Sequence, residues 1–216
     1  MRTGKSGLKA ALLAALIMVS SQPASSYDML HLMSDDSKEA TSVFYGISGD
    51  VRNAMLNQMK ADNHYVGDDE HFTYLGVDSL TMNYVKIDFA DTNSETLEVF
   101  IINEIKNPLI LSIANFGTLN DDAIVKAFDG KTLAPVSIQF PEYSDWLVKG
   151  ALTKNSEAAL LAAIPFITYK ATVDEKTGNI VLTNTSILTP GLNPEIADSF
   201  IPEIVLKWNG KSLARK

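Results

Sequence analysis

Cysteine is absent from this sequence. No disulfide can staple the fold, no thiolate can act as nucleophile or metal ligand, and no lipid-modified cysteine can anchor the chain. Basic runs are absent too: 26 acidic residues outnumber 18 basic ones, for a net charge of −8. Such a surface repels phosphate backbones, which excludes nucleic acid as an expected partner. Histidine is scarce, at His31, His64 and His71. A serine nucleophile would need one of these three as its base, and no Gly-x-Ser-x-Gly elbow frames any serine. Gly-rich phosphate loops and dinucleotide fingerprints are missing, so no cofactor is expected. After residue 26 no apolar run approaches the roughly 20 residues that a spanning helix needs, and membrane insertion of the mature chain is not expected.

What is present begins at the N-terminus. Arg2, Lys5 and Lys9 precede an apolar stretch at 10–19 and a small-residue exit, Ser-Ser-Gln-Pro-Ala-Ser-Ser, at 20–26. This tripartite pattern reads as a signal peptide over 1–26, cleaved near 24–26, and implies a periplasmic or extracellular protein. The ten apolar residues are too few for a membrane anchor. Removing 1–26 leaves fifteen basic against 26 acidic groups, or −11. Residues 27–216 are long enough, and apolar enough at 46 % hydrophobic overall, to form one domain with a sizeable core.

The segment 28–61 has helical periodicity. Ser34 before Asp35, Asp36 and Glu39 resembles a helix N-terminus, and Ala40, Val43, Phe44 and Ile47 follow at helical spacing. Gly46 and Gly49 break the run. Ser48 is placed to cap a second helix whose Val51, Met55, Leu56 and Met59 form a core stripe. Strand patterns take over at 72–77 and 80–89, then in four apolar runs at 97–102, 109–115, 123–128 and 133–140. Asn107-Pro108 and Asp129-Gly130 supply turn chemistry between those runs. Residues 142–150 read as a loop around Trp146, and a short helix opens at Ser156-Glu157 and stops at Pro165. A hairpin at 166–173 and 180–187 turns through Gly178, Ile204 to Trp208 give a last strand or turn, and the basic tail 211–216 is expected to fray. The expected class is α+β: N-terminal helices packed on a mainly antiparallel meander of about seven to nine strands, with one short helix before a C-terminal hairpin.

One cluster could hold a metal ion. His64, Asp68, Asp69 and His71 fall in a single acidic loop, and imidazole and carboxylate together suit a divalent ion such as Zn²⁺. The spacing matches no established metal pattern, adjacent side chains diverge, and a solvated acidic loop accounts for the same residues. Asp91, Asn93 and Glu95 alternate like the start of a calcium loop but lack its glycine and distal glutamate in register. Asp35-Asp36 and Asp121-Asp122 sit at helix starts or turns rather than as a catalytic pair. Trp146 and Trp208, singly placed, suit core or interface anchoring better than sugar stacking.

The order of features resembles the DUF3256 family of exported Bacteroidetes proteins of unknown function. The likeness starts at Met33-Ser34-Asp35, passes through Arg52 in the second helix, and includes Gly-Val-Asp-Ser-Leu-Thr-Met-Asn-Tyr-Val-Lys-Ile at 76–87. It continues through Asp121-Asp122 into 124–128 and Asp129, spanning about residues 28 to 140. The family has an aromatic pair and a tryptophan after this last strand, whereas here Ala127-Phe128-Asp129-Gly130-Lys131 carries no tryptophan. The resemblance implies an exported α+β protein with no assigned activity or site.

Three functions fit the sequence. The first is a non-enzymatic exported domain that binds an unknown protein or small-molecule ligand through its sheet or a helix–sheet crevice. The second is a metal-assisted hydrolase centred on His64–His71. The third is a structural assembly protein whose sheet edge pairs with another chain.

Overall fold

The computed structural model describes residues 27–62, 66–69, 72–89, 95–116 and 122–215, with backbone only at 58–62, 66–69 and 72–75. Three helices come first: α1 (Met29–Ser34), α2 (Lys38–Val43) and α3 (Gly49–Asp62). Each opens on a polar cap. Asp28 Oδ1 accepts from His31 N at 2.7 Å, Ser37 Oγ from Ala40 N at 3.1 Å, and Ser48 Oγ from Val51 N at 3.3 Å. Ser34 does not open a helix as its acidic context suggests. It is the last residue of α1, and its hydroxyl donates back to the Leu30 carbonyl at 2.8 Å. Asp35 instead holds the next turn, accepting from Ser37 N at 2.8 Å.

The helices lie on one face of a six-stranded antiparallel meander: β1 (Val66–Asp69), β2 (Phe72–Leu80), β3 (Tyr84–Phe89), β4 (Glu95–Ile102), β5 (Leu109–Phe116) and β6 (Asp122–Asp129), neighbours in chain order. On the other face lies a second sheet. It contains β7 (Ser137–Ile138), β8 (Tyr169–Asp174), β9 (Asn179–Asn184), β10 (Glu203–Trp208) and β11 (Ser212–Arg215), in the order β7-β11-β10-β9-β8. The class is α+β, in three layers.

The layering explains the apolar character of β4 and β5. Leu97, Val99, Ile101, Ile110 and Ala114 pack against Met29, Leu32, Val43, Phe44 and Met55 from the helices. Phe100, Ile102, Leu109, Leu111 and Ile113 pack against Ala171, Ile180, Leu182, Ile204 and Leu213 from the second sheet. A strand buried on both faces reads as a continuous hydrophobic run rather than an alternating one.

Three expectations fail here, each for a physical reason. The continuous strand at 80–89 is a hairpin corner: β2 ends at Leu80, Thr81 N donates to Tyr84 O at 2.8 Å, and Met82 is 70 % exposed. The run 133–140 is not a fourth meander strand. Leu133 has φ 57°, and Pro135, which has no N–H to donate, makes only a single bridge to Phe128. The chain then crosses to the second sheet, where β7 pairs parallel with β11. As far as Arg215 the basic tail does not fray: β11 is an inner strand between β7 and β10, and Leu213 is fully buried. The β8–β9 hairpin matches its expectation, with Gly178 at φ 69° and its N–H on the Asp174 carbonyl at 2.8 Å.

Candidate binding surface

Of the metal-site residues, His64 and His71 lie outside the described residues. So do the side chains of Asp68 and Asp69, whose backbone belongs to β1. Among the described residues no group of three or more His, Cys, Asp or Glu side chains could hold a metal ion. Asp91, Asn93 and Asp121 also lie outside, and Glu95 opens β4. Met55 is core, and the side chain of Met59 is not described. Trp146 is buried and stacks on Tyr169 with ring centroids 6.3 Å apart, while Trp208 Nε1 donates to the Asn107 carbonyl at 3.2 Å.

The long connections of the second sheet build a cap at one end of the molecule. One runs over 139–168 between β7 and β8, the other over 185–202 between β9 and β10. They are zipped together by a Leu147–Phe200 bridge, by Val148 N on Ser199 O at 3.0 Å and by Ile201 N on Trp146 O at 2.6 Å. Ser186 ties their far ends: its hydroxyl oxygen accepts from Thr168 N at 2.7 Å, and its own N–H donates to Asn184 Oδ1 at 3.0 Å. Tyr143 donates its hydroxyl to the Ile164 carbonyl at 3.0 Å, and burial, then Glu157, pushes its pKa up. Loops fixed in this way hold a surface steady without belonging to either sheet.

The cap carries three short helices: α4 (Ala151–Lys154), α5 (Glu157–Ala163) and α6 (Pro194–Ala197). Ser156 caps α5 and Asn193 caps α6, the latter with proline at the first helical position. Only Leu160 of α5 is buried, although five of its other six residues are Ala or Leu. Leu152 is 56 % exposed, Leu161 40 %, Phe166 69 % and Leu188 71 %. Phe166 and Leu188 flank Ser186, whose hydroxyl lies 3.5 Å from the Phe166 carbonyl. The two connections carry the acidic residues Glu142, Asp145, Glu157, Glu195 and Asp198 against Lys149 and Lys154.

Between α4 and α6 opens a crevice of about 400 Å³. Lys149 and Lys154 line it from the first connection, Glu195 and Asp198 from the second. Its floor is preorganised: Asn155 Nδ2 donates to Ser199 Oγ at 3.0 Å, and Ser199 Oγ donates to the Glu195 carbonyl at 3.0 Å. Ion pairs among the described residues join Lys86 to Asp78 and Asp88, and Arg215 to Asp145. The four charges of the crevice are thus unpaired among the described residues. A second crevice of about 410 Å³, where Val173, Asp174, Glu175 and Lys176 approach the end of β4, is more acidic and lined by Glu104.

The buried polar residues elsewhere serve the fold. Arg52 is fully buried and donates to the carbonyls of Met33, Ile47 and Asp35. Burial pulls its pKa down to about 10, which leaves it charged at neutral pH. Tyr45, at φ 55°, donates to the Ile124 carbonyl at 2.7 Å beneath Lys126, whose Nζ lies 3.9 Å from the ring centroid. Ser112 Oγ donates to Val43 O at 2.6 Å. These contacts fasten the end of α2 to β5 and β6. Composition gives no sign of them, because each depends on partners 67 or more residues away in sequence. The cap was legible only as caps and breakers: Ser156, Pro165, Asn193 and Pro194.

No protein-family model matches the chain, and no curated protein matches it. Among solved structures, a domain of an uncharacterized protein from Porphyromonas gingivalis W83 is similar, with a TM-score of 0.61 at 14 % identity. That match covers 86 % of this chain and 95 % of the other. At this identity the likeness is one of fold.

Proposed function

We propose that this chain is an exported, non-enzymatic binding domain that engages a protein partner through its cap. The observation that carries the reading is that five of the nine large apolar residues exposed among the described residues, Phe140, Leu152, Leu161, Phe166 and Leu188, fall on the two connections of the cap. Apolar side chains concentrated in this way on a polar, acidic protein mark interaction surfaces. Export rests on the pattern of residues 1–26. Kinship with the DUF3256 family rests on the order of sequence features, and the fold likeness to the Porphyromonas gingivalis domain is compatible with it. The binding test is site-specific photo-crosslinking in the native host from position 166, with position 207 on β10 as control. A discrete adduct from 166 that is absent from 207 is expected; equal labelling at both positions refutes the reading. Export is tested separately by fusing residues 1–26 to a reporter active only outside the cytoplasm. An inactive fusion refutes export.

A further inference from the structure

The crevice between α4 and α6 has a charge pattern that a protein partner does not explain. Lys149 and Lys154 line it from one connection, Glu195 and Asp198 from the other. Residues of both signs line the same crevice, yet no ion pair joins them among the described residues. The zipper at Leu147–Phe200 and Val148–Ser199 fixes the spacing of the two backbones, so the walls cannot close freely on each other. The buried Ser199, held by Asn155, gives the slot a polar floor. We infer that the crevice binds a zwitterionic small molecule, an amino acid or short peptide with free termini. Its ammonium lies against Glu195 and Asp198, and its carboxylate against Lys149 and Lys154. A volume of about 400 Å³ is enough for such a ligand and falls in the usual range for small-molecule sites. A ligand that bridges the slot completes two charge-assisted contacts at once, whereas a single anion or cation leaves one wall unsatisfied and meets the opposing charge.

The inference rests on the cap being a binding end, and the experiment separates the two. Residues 27–216 are titrated calorimetrically with alanine, trialanine, N-acetyl-trialanine and trialanine amide. Binding of alanine or trialanine is expected, with affinity falling at least about tenfold when either terminus is blocked. Lys154→Gln and Glu195→Gln should each weaken it by about the same factor, because each removes one exposed charge and no packed side chain. Saturation by alanine identifies free amino acids as the source, and saturation by trialanine alone identifies peptides. The double variant Phe166→Ser/Leu188→Ser should still bind, since neither residue lines the crevice. No heat from alanine or trialanine at about 10 mM, or equal binding of the blocked peptides, overturns the inference. Neither result touches the crosslinking at position 166.

Discussion

The Arg52 Nε lies 3.2 Å from the carbonyl oxygen of Met33, at the end of α1 and out of reach of solvent. The same guanidinium donates to the carbonyls of Ile47 and Asp35 and lies 4.8 Å from the Phe44 ring centroid. One side chain on α3 thus supplies donors to three carbonyls that helix ends and turns leave open. Replacing it with methionine keeps most of the volume and leaves those acceptors buried without partners. Arg52→Met should therefore cost about 3–5 kcal/mol in urea unfolding, and Arg52→Lys less, since an ammonium can serve some of the same carbonyls. An Arg52→Met protein as stable as the parent would show that water replaces the guanidinium.

Gly130 is needed for its lack of a side chain. A Cβ there would sit 2.7 Å from Pro108 Cβ and 2.8 Å from the Pro108 carbonyl carbon, and Gly130 N donates to Pro108 O at 2.9 Å. The obstacle is backbone and ring, so it cannot rotate away. Gly130→Ala should lower stability by about 1–3 kcal/mol in the same unfolding assay. A neutral result would mean that the β4–β5 and β6 turns separate at little cost.

Leu213 tests the C-terminal strand. Its side chain is fully buried among Trp146, Leu182 and Leu206 of the second core. Leu213→Ala should cost about 2–5 kcal/mol, whereas the same change in a frayed tail would cost almost nothing.

Asp129 gives the fold an acid limit. Burial pushes its carboxyl pKa up, but hydrogen bonds from the N–H groups of Lys131 and Thr132 and from the Thr132 hydroxyl outweigh that and lower it. A carboxylate with a depressed folded pKa contributes stability that is fully present above its unfolded value of about 3.9 and is lost as pH falls through the folded value. Asp129→Ala should lower the melting temperature at pH 7, and the difference should close as pH drops below about 4. A difference independent of pH would place the effect in the turn backbone.

The elements most legible in sequence are those whose information is local. Ser48, Ser156 and Gly178 mark a cap, a cap and a left-handed turn, and each depends only on residues within a few positions. The apolar runs of β4 and β5 were readable as strands, but not as strands with two cores, because burial on both faces needs a second sheet that follows far along the chain. The strand at 212–215 is hidden in sequence by its basic surroundings, because Leu213 is its one buried residue. Pro135 sat in the run read as a strand at 133–140, and its missing donor was the signal that the run had to end there. The crevice was beyond sequence reasoning: Lys154 and Glu195 come to line one slot only through the zipper between two connections.

Phe166 and Leu188 separate binding from folding. At 69 % and 71 % exposed they make few contacts that unfolding would break, and changes at such positions alter stability by about 0.5 kcal/mol or less. Phe166→Asp/Leu188→Asp should therefore unfold in urea at nearly the parent midpoint, while crosslinking from position 152 on α4, 56 % exposed, falls to background. Leu160→Asp, at the fully buried position of α5, is the contrasting control and should unfold at far lower urea, because a carboxylate would be driven into the second core. If the exposed pair destabilises the protein as Leu160→Asp does, these side chains pack within the fold and the apolar end is not free for a partner. If stability and crosslinking both stay at parental values, the partner does not rest on these two side chains. Only unchanged stability together with lost crosslinking assigns these two apolar side chains to a partner.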